Sequence, residues 1–334
     1  MTPGARAATS LATLATLAAL AAGCSGHSGN APIGTRIGPA LTAALAAADE
    51  TTEPWQCASG DGPGLADETL TLGTHTWQLA GHVMKLAGDP AGDVAIGVIA
   101  DAAGSAPATL AALGRLRGQL EHVDLVLSLG GMGRSRGELE ATFAALTDRA
   151  TWPLVALPGD LEPATSQTEA IAAARQRGAA VVDGRLVRRV ELPAVTIAVV
   201  PGAGAASRLV AGPDGCSYRG EDVTAALAEL TPRPGLRILA SAEAPRANDG
   251  KAEPSGELAL TPGAGQQIDL ALHGPTSDAV TPARSGNRDG GAVSLSPGSS
   301  DAMPRLPGGR HTATAGVLTV HGSAWSWKPI EDGT

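Results

Sequence analysis

The feature that most constrains the fold is an alternation of short apolar runs with helical patterns in the middle of the chain. Three runs rich in Val, Ile, Leu and Ala have the composition of strands buried on both faces: residues 94–100, 123–129 and 154–157. The stretches that follow them show apolar residues at helical spacing: residues 105–121, 136–148 and 166–177. Strands that alternate with helices predict a parallel sheet covered on both sides.

The flanking segments are richer in strand patterns. One hairpin is predicted over residues 69–86 and a closing hairpin over residues 316–330. Between the hairpins, one helix is predicted at residues 221–230. Short strands are predicted at residues 180–182, 186–190, 195–200, 238–240, 268–272 and 292–295. These elements predict one α/β domain over residues 66–332.

Local signals predict where two of the helices begin and one ends. Ser135 with Glu138, and Ser166 with Glu169, have the Ser-x-x-Glu spacing of a capping box. Gly178 is a suitable residue to end the second of these helices, because glycine readily adopts a left-handed conformation.

The loops that follow the apolar strands are the expected position of a functional site. In α/β sheets ligands bind at the carboxyl ends of the strands. The loops begin at Asp101, Gly130, Pro158, Ser241 and His273.

The order and setting of these loops resemble the calcineurin-like metallophosphoesterase superfamily over residues 94–330. The phrases that carry the resemblance are Ile99-Ala100-Asp101, Leu127-Ser128-Leu129-Gly130, Ala156-Leu157-Pro158-Gly159, and Asp269-Leu270-Ala271-Leu272 followed by Gly274. The resemblance implies a two-sheet sandwich flanked by helices, in α/β/β/α layers, with two metal ions held at the strand ends.

Most of the metal ligands that the resemblance implies are replaced in this chain. Asp101 matches the first Asp of the family pattern, but Ala103 stands at a His position. Gly131 stands where an Asp would bridge both metals. Asp160 replaces an Asn, and Leu161 replaces the His that would protonate the leaving group.

The later motifs are altered in the same way. Glu243 stands at a His position, and Pro275 and Ser277 replace the two His residues of the last motif. His273 lies just before that motif, near the expected site. The matched positions keep oxygen ligands, which suit Ca²⁺ or Mg²⁺ better than Zn²⁺ or Fe. We expect no tightly held cofactor, and at most one weakly held divalent cation at a remnant site of Asp101, Asp160 and Glu243.

These replacements predict a phosphoesterase fold with little or no phosphoesterase activity. A two-metal mechanism needs both ions about 3.5–4 Å apart, and without the bridge at Gly131 the pair is not held. The predicted function is that of a catalytically degenerate binding or structural module. The alternative is an active metal-dependent phosphoesterase, which would hydrolyse phosphomonoesters or phosphodiesters through an atypical carboxylate-based metal site.

Each candidate side chain also has a purely structural interpretation. Asp101 could cap the helix that follows it. Asp160 and Glu162 could be solvated loop carboxylates, Glu243 could be an ordinary surface residue, and His273 could be a hydrogen-bonded loop histidine.

Two other functions, dinucleotide binding and Ser-based hydrolysis, are disfavoured. The glycines of residues 131–137 lie between a strand and a helix, as in dinucleotide-binding folds, but they follow the second strand of the run rather than the first. We also predict no Ser-based hydrolase.

The amino-terminal residues predict export and lipid anchoring. Arg6 precedes an uncharged run of Leu, Ala and Thr at residues 11–22. This run is shorter than the roughly 20 residues that cross a bilayer and is typical of a secretory signal. Residues 20–24, Leu-Ala-Ala-Gly-Cys, resemble the lipobox of bacterial lipoproteins. The resemblance implies a signal peptide at residues 1–23, cleavage before Cys24, and a diacylglycerol on the Cys24 sulfur.

The segment after Cys24 is predicted to be a tether. Residues 24–65 are rich in Gly, Ser, Ala and Pro, which is typical of a flexible linker, with one short helix predicted at residues 39–48. We therefore expect a cell-envelope protein, anchored by lipid to the inner or outer membrane, with its domain facing the periplasm or the surface. The expected partners are the membrane and a protein.

Two cysteines remain once Cys24 carries lipid. In an oxidising compartment Cys57 and Cys216 predict one disulfide between the tether and a distant loop. The alternative is a pair of buried free thiols.

Charge and aromatic content argue against nucleic acid as a partner. The formal net charge is −9, and the sequence shows no basic stripe. One Phe, one Tyr and five Trp provide few platforms on which bases could stack.

Overall fold

The structure is a computed structural model. It describes residues 55–56, 64–88, 93–204, 208–231, 233–247, 258–260, 267–275, 282–286, 292–302 and 312–333. The predicted signal peptide, the helix at residues 39–48, and Cys24, Cys57 and Ser277 lie outside these residues.

The described residues form nineteen strands and four α-helices. In chain order the strands are β1 (Trp55–Gln56), β2 (Leu65–Leu72), β3 (His75–Gly81), β4 (Val83–Leu86), β5 (Val94–Ile99), β6 (Leu125–Leu129), β7 (Leu154–Leu157), β8 (Val181–Asp183), β9 (Arg189–Leu192), β10 (Val195–Val200), β11 (Cys216–Ser217), β12 (Leu236–Ser241), β13 (Pro245–Ala247), β14 (Leu258–Leu260), β15 (Leu270–His273), β16 (Ala283–Gly286), β17 (Val293–Ser296), β18 (Thr314–His321) and β19 (Ala324–Glu331). The helices are α1 (Pro107–Gln119), α2 (Arg136–Thr147), α3 (Ala164–Gln176) and α4 (Gly220–Ala228).

The predicted parallel sheet is confirmed. Strands β5, β6, β7 and β8 pair in parallel, in chain order, within a six-stranded sheet of order β19-β18-β5-β6-β7-β8. The closing hairpin of β18 and β19 adds antiparallel to β5. The central strands are buried along their length, which explains their continuous apolar sequence.

A second, nine-stranded sheet has the order β16-β17-β15-β12-β10-β9-β4-β3-β2. Strands β10, β12, β15 and β17 pair in parallel. Strand β9 lies antiparallel to β10 and parallel to β4. The predicted hairpin is an antiparallel unit of β4, β3 and β2, and β2 forms one edge of the sheet. Two further pairs stand apart from the large sheets: β1 with β11, and β13 with β14.

The two large sheets pack face to face with helices on their outer faces. One core lies between the sheets and joins, for example, Leu127 of β6 to Ile238 of β12. A second core packs α1, α2 and α3 on the six-stranded sheet. A third packs α4 on the nine-stranded sheet through Val223 and Leu227. The predicted α/β/β/α order of layers is confirmed.

The helix signals are partly confirmed. Ser135 caps α2, and its hydroxyl accepts the Glu138 N–H at 3.4 Å, although the Glu138 carboxylate turns back to the Arg134 N–H at 2.6 Å. Gly178 has φ +85°, as expected of a residue that ends a helix. The start predicted at Ser166 is wrong, because α3 already begins at Ala164.

Part of the segment predicted as tether is paired in a sheet. Trp55 and Gln56 of β1 lie parallel to Cys216 and Ser217 of β11. Cys216 is fully buried. The backbone that immediately precedes Cys57 is therefore close to Cys216.

Within the residues described above, no helix combines the length and apolar character needed to cross a membrane.

Candidate functional site

The strand ends of the two sheets meet at one junction. A Cβ built on Gly130, after β6, would lie 2.8 Å from the Cα of Gly159, after β7, and 3.1 Å from the Cβ of Ala242, after β12. A Cβ on Gly274, after β15, would lie 2.6 Å from the Ala242 carbonyl oxygen. The loops that the sequence predicts as the site therefore do converge, and glycines permit their close contact.

The loop after β5 is hydrogen-bonded to the loop after β6. The Asp101 N–H donates to the Gly130 carbonyl at 2.8 Å, and the Ala103 N–H donates to the Gly131 carbonyl at 2.8 Å. Both Asp101 and Ala103 have φ +55°, a left-handed conformation that is uncommon for residues other than glycine. Asp101 does not cap α1, since Ala106 is the N-cap residue, so that structural interpretation is wrong.

Gly131 stands at the position where the metallophosphoesterase resemblance implies a bridging carboxylate. A Cβ there would lie 2.6 Å from the Asp101 Cα and 3.1 Å from the Asp101 Cβ. Its φ of +74° is also unfavourable for any L side chain. Backbone thus fills the space that a metal-bridging side chain would need.

Glu162 joins the loops after β6 and β7. Its side chain is fully buried, and its carboxylate accepts the Gly159 N–H at 2.8 Å and the Met132 N–H at 2.5 Å. Burial raises the pKa of Glu162 to about 7; the backbone N–H groups lower it and the nearby Asp160 carboxylate raises it slightly. The interpretation of Glu162 as a solvated carboxylate is wrong.

Glu243 is also buried, at 7% exposure, and is not an ordinary surface residue. Its carboxylate accepts hydrogen bonds from the Gly204 N–H at 3.1 Å, the Tyr218 hydroxyl and the Arg208 guanidinium. Burial raises the pKa of Glu243, whereas the Tyr218 hydroxyl and Arg208 oppose that change. Burial, together with the charge of Glu243, likewise raises the pKa of Tyr218. Both carboxylate oxygens of Glu243 are therefore engaged within the protein.

His273 ends β15 as a buried, hydrogen-bonded histidine. Its Nδ1 donates to the Gly274 carbonyl at 2.6 Å, and its exposure is 7%. Burial lowers the pKa of His273, and the hydrogen bond to Gly274 partly opposes that change. The hydrogen bond and the burial agree with the structural interpretation of His273 as a hydrogen-bonded loop histidine.

The segment between β10 and α4 is hydrogen-bonded to the loop after β7. We call its described residues, 201–204 and 208–219, the β10–α4 segment. The Gly202 N–H donates to the Pro158 carbonyl and the Val210 N–H to the Asp160 carbonyl, each at 2.8 Å. Asp214 accepts the Thr165 N–H at 3.2 Å near the start of α3. Sequence patterns gave no signal for these long-range contacts.

Among the residues that the structure describes, no group of three or more His, Cys, Asp or Glu side chains could hold a metal ion. Asp101, Asp160 and Glu243 are all within that part of the chain and do not form such a group. The donor set does not fit a two-metal centre, because the bridging position is filled by backbone and Glu243 is already bonded to Arg208 and Tyr218.

Ser135 lies in a Gly-x-Ser-x-Gly spacing, from Gly133 to Gly137, which in Ser hydrolases forms a strained nucleophile turn. Here its φ is −142°, an extended conformation without strain, and its hydroxyl caps α2. The Ser135 hydroxyl accepts the Glu138 N–H, so helix capping accounts for a Ser at this position.

No protein-family model and no curated protein matches this chain. Solved structures do resemble it. A purple acid phosphatase, PPD1 from yellow lupin (Lupinus luteus) seeds, aligns with a TM-score of 0.50 at 10% identity, over 77% of this chain and 57% of the phosphatase chain. TT1561 of Thermus thermophilus aligns with a TM-score of 0.48 at 12% identity, over 72% of this chain and 100% of its own.

Vps29 of Chaetomium thermophilum aligns with a TM-score of 0.33 at 13% identity, over 71% of this chain and 95% of its own. The domain has a metallophosphoesterase-like fold. At these identities the likeness concerns the fold alone.

Proposed function

We propose that this chain is a lipid-anchored protein of the cell envelope whose metallophosphoesterase-like domain acts as a binding or structural module and has lost two-metal phosphoester hydrolysis. The observation that carries the loss of catalysis is the contact at Gly131, where a Cβ would lie 2.6 Å from the Asp101 Cα. An enzyme of this kind needs a bridging carboxylate at that position to hold two ions about 3.5–4 Å apart.

The other replaced positions support the same proposal. Ala103 and Leu161 have no side-chain atom that could bind a metal or transfer a proton. Both carboxylate oxygens of Glu243 already accept hydrogen bonds, from Arg208, Tyr218 and Gly204. The alternative, an active enzyme with a carboxylate-based metal site, would require Glu243 to be available together with Asp101 and Asp160.

The proposed anchor rests on the sequence. Cleavage before Cys24 and acylation of its sulfur would hold the domain on the inner or outer membrane, facing the periplasm or the surface. The domain would then act through a protein partner in the envelope. The formal net charge of the full chain, −9, disfavours nucleic acid as a partner.

The proposed Cys57–Cys216 disulfide would fasten the tether to the domain. Its support is the parallel pairing of β1 with β11, in which Trp55 lies opposite Cys216, together with the burial of Cys216. A covalent link at this place would join the tether directly to the β10–α4 segment.

A hydrolysis assay tests the catalytic part of the proposal. The full chain in detergent is stripped with chelator, supplied with Mn²⁺, Mg²⁺ or Ca²⁺, and assayed with p-nitrophenyl phosphate and bis(p-nitrophenyl) phosphate. We expect the rates to equal those of buffer with metal alone. A metal-dependent rate that disappears in Asp101→Ala would establish an active enzyme and overturn the proposal.

A further inference from the structure

We infer that the β10–α4 segment acts as a strap that couples strand β1 to the loops at the strand ends, so that loss of the β1–β11 pairing loosens those loops. This coupling goes beyond the proposed function, because it concerns how the chain that precedes the domain acts on the surface at the strand ends. It holds whether or not the chain carries lipid or hydrolyses phosphoesters.

One part of the segment is bound to the loop after β7, in the six-stranded sheet. Besides the two backbone hydrogen bonds to that loop described above, Gly215 forms an isolated β-bridge with Pro163. The Asp214 carboxylate accepts the N–H and the hydroxyl of Thr165, at 3.2 Å and 3.0 Å. The segment therefore follows this loop from the end of β7 to the first turn of α3.

Another part of the segment is bound to Glu243, just after β12 in the nine-stranded sheet. Gly204, Arg208 and Tyr218, which donate to the Glu243 carboxylate, all belong to the segment. The Glu243 side chain is only 6% exposed, so release of these donors would leave a buried carboxylate without them. The segment therefore joins the strand ends of the two large sheets.

Strand β11, within the same segment, is paired with β1. Trp55 lies opposite Cys216 in this parallel pair. The start of the segment pairs with the same strand: the Ala203 N–H donates to the Cys216 carbonyl at 2.9 Å, and the Tyr218 N–H donates to the Ala203 carbonyl at 3.1 Å. The backbone of β11 therefore connects β1 to the residues that contact the strand ends.

The close packing of the segment makes its contacts depend on one another. A Cβ on Gly202 would clash with the Cys216 carbonyl, so the start of the segment has little room to shift while β11 stays in place. Tyr218, next to β11, uses its N–H for Ala203 and its hydroxyl for Glu243. Displacement of β11 therefore disturbs the contacts at the strand ends. Release of Glu243 should in turn disturb β11, because coupling between two sites is reciprocal.

Hydrogen exchange, measured by mass spectrometry on the full chain in detergent, tests the first direction of the coupling. All variants carry Cys57→Ser, so that the proposed disulfide cannot hold β1 in place. Trp55→Pro/Gln56→Pro removes both backbone N–H donors of β1. We expect the Gly204 and Thr165 amides, which donate hydrogen bonds in the contacts described above, to exchange on the order of tenfold faster than in the Cys57→Ser parent.

Two controls accompany this measurement. The amides of β6, in the core between the large sheets, should exchange at the same rate in all variants, which shows that the fold is intact. Thr51→Pro/Thr52→Pro places two prolines ahead of β1 and should exchange as the parent does. An acceleration in this control equal to that of Trp55→Pro/Gln56→Pro would mean that β1 pairing is not the cause, and would overturn the inference.

Alkylation of the Cys216 thiol tests the reverse direction of the coupling. Cys216 is fully buried, so in the Cys57→Ser background its reaction reports displacement of β11. Glu243→Ala removes the acceptor of three donors in the segment. We therefore expect iodoacetamide to modify Cys216 on the order of tenfold faster than in the parent, as measured on its peptide by mass spectrometry.

Asp269→Ala is the matched control for Glu243→Ala. Asp269 also binds a guanidinium and a backbone N–H, both of Arg237, but neither group belongs to the segment. Cys216 in this variant should react at the parent rate. If Glu243→Ala does not fold, Asp214→Ala replaces it, because it removes only the exposed contact to the start of α3.

Two results would overturn the inference. One is unchanged exchange at Gly204 and Thr165 in Trp55→Pro/Gln56→Pro. The other is a Cys216 that reacts no faster in folded Glu243→Ala, or in the Asp214→Ala that replaces it, than in the control. Metal-dependent hydrolysis would contradict the proposed function and leave the coupling intact, because neither measurement involves a metal or a substrate.

Discussion

A Cβ atom on Gly131 would lie 2.6 Å from the Cα of Asp101, so the loops after β5 and β6 touch through their backbones. Hydrogen bonds on both sides of this contact keep the loops together, from the Asp101 N–H to Gly130 and from the Ala103 N–H to Gly131. The loop geometry, as well as the residue at position 131, therefore disfavours any side chain at this place.

An Asp at position 131, the residue that the metallophosphoesterase resemblance implies there, should damage the fold. Gly131→Asp places a side chain in contact with Asp101 and at φ +74°, so we expect about 3 kcal/mol of destabilisation, measured by urea unfolding. Gly137→Asp is the control, because Gly137 has open space around its Cβ position and lies in the first turn of α2, where a negative charge is favourable. Stability equal to wild type in Gly131→Asp would contradict the account.

The burial of Glu162 should make stability depend on pH. Its folded pKa, about 7, exceeds its ordinary value of 4.5, so the folded protein holds a proton that the unfolded chain releases. The contribution of Glu162 to the free energy of unfolding is therefore fully retained below pH 4.5. About 3 kcal/mol of the free energy of unfolding is lost as the pH rises through 7.

Unfolding in urea between pH 4 and pH 8 measures this effect. Glu162→Gln removes the titrating group, so its stability should fall less between these pH values than that of wild type. Glu221→Gln, whose carboxylate is 76% exposed, should keep the wild-type pH dependence. The same pH dependence in Glu162→Gln as in wild type would argue against a buried proton at this site.

The proposed disulfide predicts matched losses of stability. Cys57→Ser, Cys216→Ser and the double variant should each lose about 3 kcal/mol, because each lacks the same cross-link. Reductant should lower the stability of wild type and leave the variants unchanged. Alkylation of both thiols in unfolded, unreduced wild type would show that they are free.

The proposed anchor predicts where the chain is found. In a bacterial host, the wild-type chain should fractionate with membranes and carry acyl chains on an amino terminus that begins at Cys24, as measured by mass spectrometry. Cys24→Ser should fractionate with soluble proteins. Membrane association of Cys24→Ser equal to that of wild type would contradict lipid anchoring at this residue.

The parallel sheet could be predicted because its strands carry their own signal. Strands β6 and β7 are buried along their length, so their sequences are nearly continuous apolar runs. The end of α3 could likewise be predicted from the sequence, because the left-handed conformation of the residue that follows the helix favours a glycine, here Gly178.

The features that could not be predicted depend on contacts between residues that are distant in sequence. Helix α3 begins at Ala164, where its early N–H group at Thr165 is bound by Asp214, a loop residue far along the chain. In the sequence, Glu162 lies near the polar residue Asp160, which favours a solvated loop. In the structure it is buried between the loops after β6 and β7, where it accepts the Met132 and Gly159 N–H groups. Arg208 meets Glu243 only because the β10–α4 segment packs at the strand ends.

Calorimetric titration of Mn²⁺ into the chelator-stripped full chain in detergent tests the central claim most directly. The account predicts no saturable binding of two ions, since backbone fills the bridging position and Glu243 is paired with Arg208. Tight binding of two ions per chain, lost in Asp101→Ala or Asp160→Ala, would contradict it and establish a functional metal centre.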